Sequence, residues 1–161
     1  VLAQGKGFET RLVEKMQKLT GVPCTTSIVA AMDAFRDLSV TRLAAVVPYP
    51  PELNQKMISY LKDWGFEVAS LVSLGTTFTE SSVASFGDIY RAAKQAVKEA
   101  GNAQGIFIPC ANFPVVDVIE TIETDLGLPV IANTTSQLHA AFKAIGMKEK
   151  ISGYGQLMRL V

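Results

Sequence analysis

Three short, almost wholly apolar runs constrain the fold of this chain most strongly. They occupy residues 42–47, 105–110 and 129–132. Apolar runs without alternation are typical of parallel strands that helices cover on both faces. A fourth strand is predicted over 66–72, and helical spacings fall at 52–64, 88–100, 114–126 and 137–145. Strands that alternate with helices predict an α/β fold with a mostly parallel sheet and right-handed crossovers.

The first forty residues follow a different pattern. Apolar spacing predicts helices over residues 8–19 and 28–38, with a short strand at 22–26 and Ser27 as the cap of the second helix. Further along, residues 73–87 form a long loop rich in Thr and Ser. A loop of this length inside a compact domain is often functional.

Composition excludes several classes of function. The 161 residues carry no net charge, with 15 basic and 15 acidic side chains, so nucleic acid is not expected as a partner. No apolar run is long enough to cross a bilayer, and membrane association is not expected. Two cysteines form no disulfide framework, which indicates a reducing, cytoplasmic location.

Cofactors are not expected either. The chain has no glycine fingerprint or Walker motif for a nucleotide, and its single His and two Cys have no zinc spacing. The expected partners are a small-molecule substrate and further copies of the same chain, because most soluble oligomers are homomeric.

Cys110 ends the apolar run 105–110 and is the candidate catalytic residue. In an open α/β sheet, ligands bind outside the carboxyl ends of the strands. A turn and a predicted helix follow Cys110, and a helix N-terminus favours a thiolate and binds anions. A thiol tuned in this way can give or take a proton at carbon. The competing interpretation is a buried cysteine that only packs.

Other polar residues at strand and helix ends are candidate ligands for a carboxylate. Parallel strands bring Tyr49 and Asn133 to the same sheet edge as Cys110. The amides of Ala111 and Asn112 are candidates for an anion cradle.

Thr25 and Thr26 precede a helix and are candidates for a second carboxylate site. A tyrosine that caps the core and threonines that only cap a helix are the competing interpretations. Cys24 in its short strand and His139 inside a helix are interpreted as structural.

These stretches together resemble the aspartate/glutamate racemase superfamily, in its branch of maleate cis–trans isomerases and arylmalonate decarboxylases. The matching stretches are TGVP (20–23), TTS (25–27), PYP (48–50), PCANF (109–113) and LGLPVI (126–131). The resemblance implies a three-layer αβα architecture with two pseudo-symmetric flavodoxin-like domains and an active site between them. Residues 1–40 would be the remainder of an N-terminal domain that is incomplete at its start. Residues 41–133 would form the second domain, and 134–161 a helix and tail that return to the first.

The resemblance also implies a function. Cys110 falls on the family's C-terminal catalytic cysteine and Tyr49 on its substrate-binding tyrosine, while the other catalytic cysteine position would precede Val1. The implied activity is a cofactor-independent isomerase or racemase of a small carboxylate or dicarboxylate that uses cysteine acid–base chemistry. The alternatives are an arylmalonate-type decarboxylase with Cys110 as sole proton donor, and an inactive carboxylate-binding protein.

Two departures leave the substrate open. The isomerases carry an Asp-Asn pair in the long loop, where this chain has TESS at 79–82. The family's Ser-Asn-Gln turn after the last strand reads NTT here, at 133–135.

Overall fold

Four parallel strands form the central sheet of this protein. The computed structural model describes residues 4–75 and 80–160. The strands are β1 (Arg42–Val47), β2 (Glu67–Ser73), β3 (Gly105–Ile108) and β4 (Val130–Ala132), in the order β2-β1-β3-β4. Strands β3 and β4 are buried throughout, and β1 is buried from its second residue. Their unalternating apolar sequences are explained by this burial on both faces.

Helices cover both faces of the sheet, which confirms the predicted three-layer arrangement. The helices are α1 (Phe8–Thr20), α2 (Ser27–Asp37), α3 (Pro51–Asp63), α4 (Phe86–Ala100), α5 (Ile119–Leu126) and α6 (Asn133–Ala144). Phe107 of β3 packs with α2 and α3, where its ring meets Phe35 edge-on at 5.0 Å. Its neighbours Ile106 and Ile108 pack against α4 and α5. The described residues therefore form one flavodoxin-like half with a single sheet.

The strand order reverses direction at β1. The chain passes from β1 to β2 on one side and then crosses to β3 on the other side of β1. Such a reversal opens a crevice at the carboxyl ends of the two strands, where ligands bind in open α/β sheets. Tyr49 follows β1 and Cys110 follows β3, so both candidate residues lie at this crevice.

The structure corrects several predicted elements. Residues 22–26 form no strand, because Pro23 lacks an N–H and no strand of the described chain pairs with them. The cap of α2 is Thr26, whose side chain accepts from the Val29 amide, and Ser27 is already helical. In the segment predicted as a helix over 114–126, a 3₁₀ turn at Val116–Val118 precedes α5.

The loop predicted over 73–87 is shorter than expected. Strand β2 extends to Ser73, a one-turn 3₁₀ helix spans Glu80–Val83, and α4 begins at Phe86. Residues 76–79, which include Thr79 of the TESS stretch, lie outside the described residues. No helix among 4–75 and 80–160 is both long and apolar enough to cross a bilayer.

Candidate functional site

The carbonyl of Pro109 is the point where three strand ends meet. The Tyr49 hydroxyl, which follows β1, donates to the Pro109 oxygen at 2.5 Å. The side-chain amide of Asn133, which follows β4, donates to the same oxygen at 2.7 Å. Pro109 itself connects β3 to Cys110. The structure thus brings Tyr49 and Asn133 together beside the candidate cysteine, as the parallel topology predicts.

Hydrogen bonds restrain the backbone of Tyr49 as well as its hydroxyl. The side-chain amide of Asn54, in the first turn of α3, donates to the Tyr49 carbonyl at 3.1 Å. The Ser73 hydroxyl at the end of β2 donates to the same carbonyl at 3.0 Å. Prolines at positions 48 and 50 further restrict the backbone on both sides. The phenol therefore approaches Pro109 from a constrained position.

Burial also affects the ionisation of Tyr49. Loss of solvent, with a smaller contribution from the charge of Cys110, raises the pKa of the Tyr49 phenol to about 12. At neutral pH the group is consequently a protonated hydrogen-bond donor. A donor of this kind can bind a carboxylate oxygen.

A cavity of about 570 Å³ opens next to this junction, on the side of the sheet that carries α2 and α3. Its lining consists of apolar and uncharged polar side chains: Thr25, Thr26, Ser27, Ile28, Tyr49, Leu53, Met57, Pro109, Asn133 and Gln137. Helices α2 and α6 both start at this cavity, and the side-chain amide of Gln137 donates to the Ser27 hydroxyl. Helix N-termini favour negative charge, so the cavity suits an anionic group without a cationic side chain.

Cys110 lies beside this cavity but is not part of its lining. The side chain is 3% exposed and packs with the cluster on the α4 and α5 side of the sheet. Its Sγ contacts the Ser81 Oγ at 3.9 Å. The predicted position at a helix start is wrong, because a turn and the 3₁₀ segment separate Cys110 from α5, which begins at Ile119.

The remaining candidate residues fall into two groups. Thr25 and Thr26 are half-buried in the cavity wall, where the Thr26 hydroxyl also caps α2. Ala111 is exposed and Asn112 half-buried in the turn after Cys110, and their role as an anion cradle stays a prediction.

Cys24 and His139 lie away from the strand ends. The Cys24 thiol donates to the Val22 carbonyl at 3.4 Å. His139 is buried between α2 and α6, with its Nε2 2.9 Å from the Asp37 carboxylate. Within residues 4–75 and 80–160, no three His, Cys, Asp or Glu side chains form a set that could hold a metal.

Sequence reasoning did not find three residues of the site. Ser81 and Gln137 make their contacts with residues that are distant in the sequence, whereas Asn54 contacts the carbonyl of nearby Tyr49. For Ser81, the available signal was its position in the long polar loop. For Asn54, the short run that starts after two prolines carries no local signature of a contact with Tyr49.

The chain matches known proteins in sequence over nearly its whole length. The family model for arylmalonate decarboxylase matches residues 2–158. Arylmalonate decarboxylase of Bordetella bronchiseptica is 28% identical over 159 residues, which are 96% of this chain and 65% of that protein. Maleate isomerase of Geobacillus stearothermophilus is 25% identical over 166 residues, covering 98% of this chain and 65% of that protein.

The solved structures agree with the sequence comparison. A crystal structure of arylmalonate decarboxylase superposes with a TM-score of 0.88 at 27% identity, over 96% of this chain and 69% of that one. The chain thus spans about two thirds of the length of these relatives, 65% of both curated ones.

Proposed function

Because the chain belongs to the arylmalonate decarboxylase family, we propose that it carries a catalytic cysteine, Cys110, of an enzyme that acts on a small carboxylate or dicarboxylate. Cys110 would exchange a proton with the carbon next to a carboxylate, and no cofactor is needed for this step. The observation that carries the proposal is the junction at Pro109. There, two neutral donors, Tyr49 and Asn133, lie next to the peptide that bears the thiol.

The chemistry requires stabilisation of negative charge. When a proton leaves the α-carbon, or when a carboxylate leaves as carbon dioxide, the electron pair moves onto the oxygens of the remaining carboxylate. Donors fixed in a site with little water stabilise that charge well. Tyr49, Asn133 and the starts of α2 and α6 would supply these donors. Thr25 and Thr26 would hold a second carboxylate, and the amides of Ala111 and Asn112 would assist on the cysteine side.

Two reactions use this arrangement. A racemase needs a second acid–base group on the opposite face of the substrate. A cis–trans isomerase needs a second group that adds to one alkene carbon while the Cys110 proton adds to the other. After rotation about the resulting single bond, the added group leaves and the proton returns to the thiolate. A decarboxylase needs Cys110 alone: the carbon–carbon bond breaks, carbon dioxide leaves, and the thiol proton passes to the carbon. The thiolate then recovers a proton from water. The family model and the Bordetella enzyme support the decarboxylase alternative, and the Geobacillus maleate isomerase supports the isomerase.

The test is to replace Cys110 in the full-length protein and to assay two reactions. Maleate-to-fumarate conversion tests the isomerase, and carbon dioxide release from a 2-methyl-2-arylmalonate tests the decarboxylase. Loss of a proton donor lowers the rate about 10²- to 10⁴-fold, so Cys110→Ala should reduce turnover by about 10²-fold or more. The matched control is Cys24→Ser, because the Cys24 thiol contacts the Val22 carbonyl and the Thr20 hydroxyl, away from the strand ends.

Each outcome distinguishes the alternatives. Cys110→Ala at the parental rate would contradict both enzymatic proposals. A parent protein that neither reaction consumes, but that small dicarboxylates stabilise against heat, would indicate a carboxylate-binding protein instead.

A further inference from the structure

The thiol of Cys110 has a hydroxyl partner in the buried cluster. Its Sγ donates to the Oγ of Ser81 at 3.9 Å. Cys110 is 3% exposed and Ser81 is fully buried, so solvent has almost no access to this contact. A polar contact in such surroundings is strengthened by the low local dielectric.

The position of Ser81 is fixed by the start of α4. Ser81 belongs to the 3₁₀ turn Glu80–Val83, and its carbonyl accepts from the Ala84 amide at 3.4 Å. The next residue, Ser85, caps α4 in a reciprocal capping box with Asp88. Helix α4 in turn packs on β1 and β2. The hydroxyl is therefore held at a defined place relative to the strand ends.

We propose that Ser81 is the positioning residue for the Cys110 thiol: its hydroxyl fixes the thiol proton before transfer and donates to the thiolate after it. The role in turnover rests on the proposed function, whereas the effect on the thiol does not. A serine hydroxyl can accept from S–H and can also donate to S⁻, so it serves both states of the cysteine. An alanine methyl group serves neither.

The experiment measures how fast iodoacetamide alkylates Cys110 as a function of pH. The background is Cys24→Ser, which leaves Cys110 as the one thiol of residues 1–161, and peptide mass mapping records its modification. The variants are Ser81→Ala and the conservative Ser81→Thr, which keeps the hydroxyl. Tyr49, which interacts electrostatically with Cys110, and Glu80, the sequence neighbour of Ser81, are present in every variant, so their influence cancels.

A lost hydrogen bond to the thiolate should slow alkylation of the alanine variant about three- to tenfold at neutral pH. The midpoint of its pH–rate profile should also move to higher pH, while Ser81→Thr should stay near the parent. An unchanged midpoint in Ser81→Ala would overturn the proposal. So would alkylation that accelerates equally at every pH, since that result indicates only a loosened structure.

Activity then separates the two proposals. A moved midpoint together with full turnover by Cys110→Ala would retain the Ser81 contact and reject the proposed function. A moved midpoint with reduced kcat and unchanged KM in Ser81→Ala supports both, because a positioning residue affects the proton transfer and not substrate binding.

Discussion

The two sides of the sheet differ sharply at its carboxyl edge. On the side of α2 and α3, uncharged polar groups and two helix starts surround a cavity of about 570 Å³. On the side of α4 and α5, Cys110, Ser81 and Phe113 are packed with 3% exposure or less. One side is therefore suited to hold an anion, and the other to hold a thiol away from water.

Pro109 links these two sides. Its carbonyl accepts from Tyr49 and Asn133 of the cavity side, and its peptide continues into Cys110 on the packed side. Donors that bind a ligand carboxylate would have to share or leave the Pro109 oxygen. Ligand binding by these donors would therefore act on the same peptide that places the thiol.

The largest difference between the two sides should appear when an apolar side chain is truncated. Phe113 is 3% exposed, and its backbone N–H donates to the Cys110 carbonyl at 3.3 Å. Phe113→Ala removes the buried ring. The expected loss is about 3–5 kcal/mol in the free energy of unfolding, because the hole cannot be filled by solvent. The matched truncation on the cavity side is Leu53→Ala, with an expected loss of about 1 kcal/mol, since Leu53 already borders open space.

Urea unfolding measures both values. Equal losses in the two variants would mean that the α4 and α5 side is no better packed than the cavity wall, and the contrast between the sides would be lost.

A smaller effect should come from the two donors on Pro109. Tyr49→Phe and Asn133→Ala should each cost about 1 kcal/mol in the free energy of unfolding, because the other donor still serves the carbonyl. In the double variant both donors are absent, and a buried carbonyl without a partner costs a further 1–3 kcal/mol or so. A double-mutant cycle should therefore give a total loss larger than the sum.

Additive losses in that cycle would show that the two donors do not depend on one shared acceptor. The pair would then be independent contacts, and the link between the two sides would fail. A mild control is Ser73→Ala, which removes one of two donors to the Tyr49 carbonyl and leaves the Pro109 junction intact.

The sequence predicts the sheet and the common edge of Tyr49, Cys110 and Asn133 for a physical reason, but not the shared acceptor at Pro109. Strands such as β1 and β3 are buried on both faces, so their unbroken apolar sequences carry the signal locally. Parallel pairing then requires that Tyr49 and Asn133 lie at the same edge. Neither step depends on a side-chain conformation.

Other features depend on contacts that no local pattern encodes. The last helix is predicted to begin at residue 137, whereas α6 begins at Asn133. Asn, Thr and Ser favour caps over helix interiors, and packing of α6 on α2 and β4 overrides that preference. The segment 22–26 has strand-like residues, but no strand within residues 4–75 and 80–160 pairs with it. The contact of Cys110 with Ser81 joins residues 29 positions apart in the sequence.

The smallest effect is the pH dependence of stability that comes from the Tyr49 phenol. It tests whether this phenol is buried with the packed side of the sheet or open to the cavity. Burial raises the pKa of its phenol to about 12, against about 10 in an unfolded chain. Because the folded pKa is the higher one, the folded protein retains the proton while the unfolded chain loses it. The contribution to stability is complete below pH 10 and is lost as the pH rises toward 12.

The measurement is the difference in unfolding free energy between the parent and Tyr49→Phe, from pH 8 to pH 11. Burial also raises the pKa of Tyr60, but that residue is present in both proteins, so its contribution cancels. The difference should be constant up to about pH 9.5 and should shrink by about 1 kcal/mol by pH 11. A constant difference over the whole range would mean that the phenol is solvated through the cavity. Tyr49 would then be a member of the open side alone, and its contact with Pro109 would not restrain the peptide that bears Cys110.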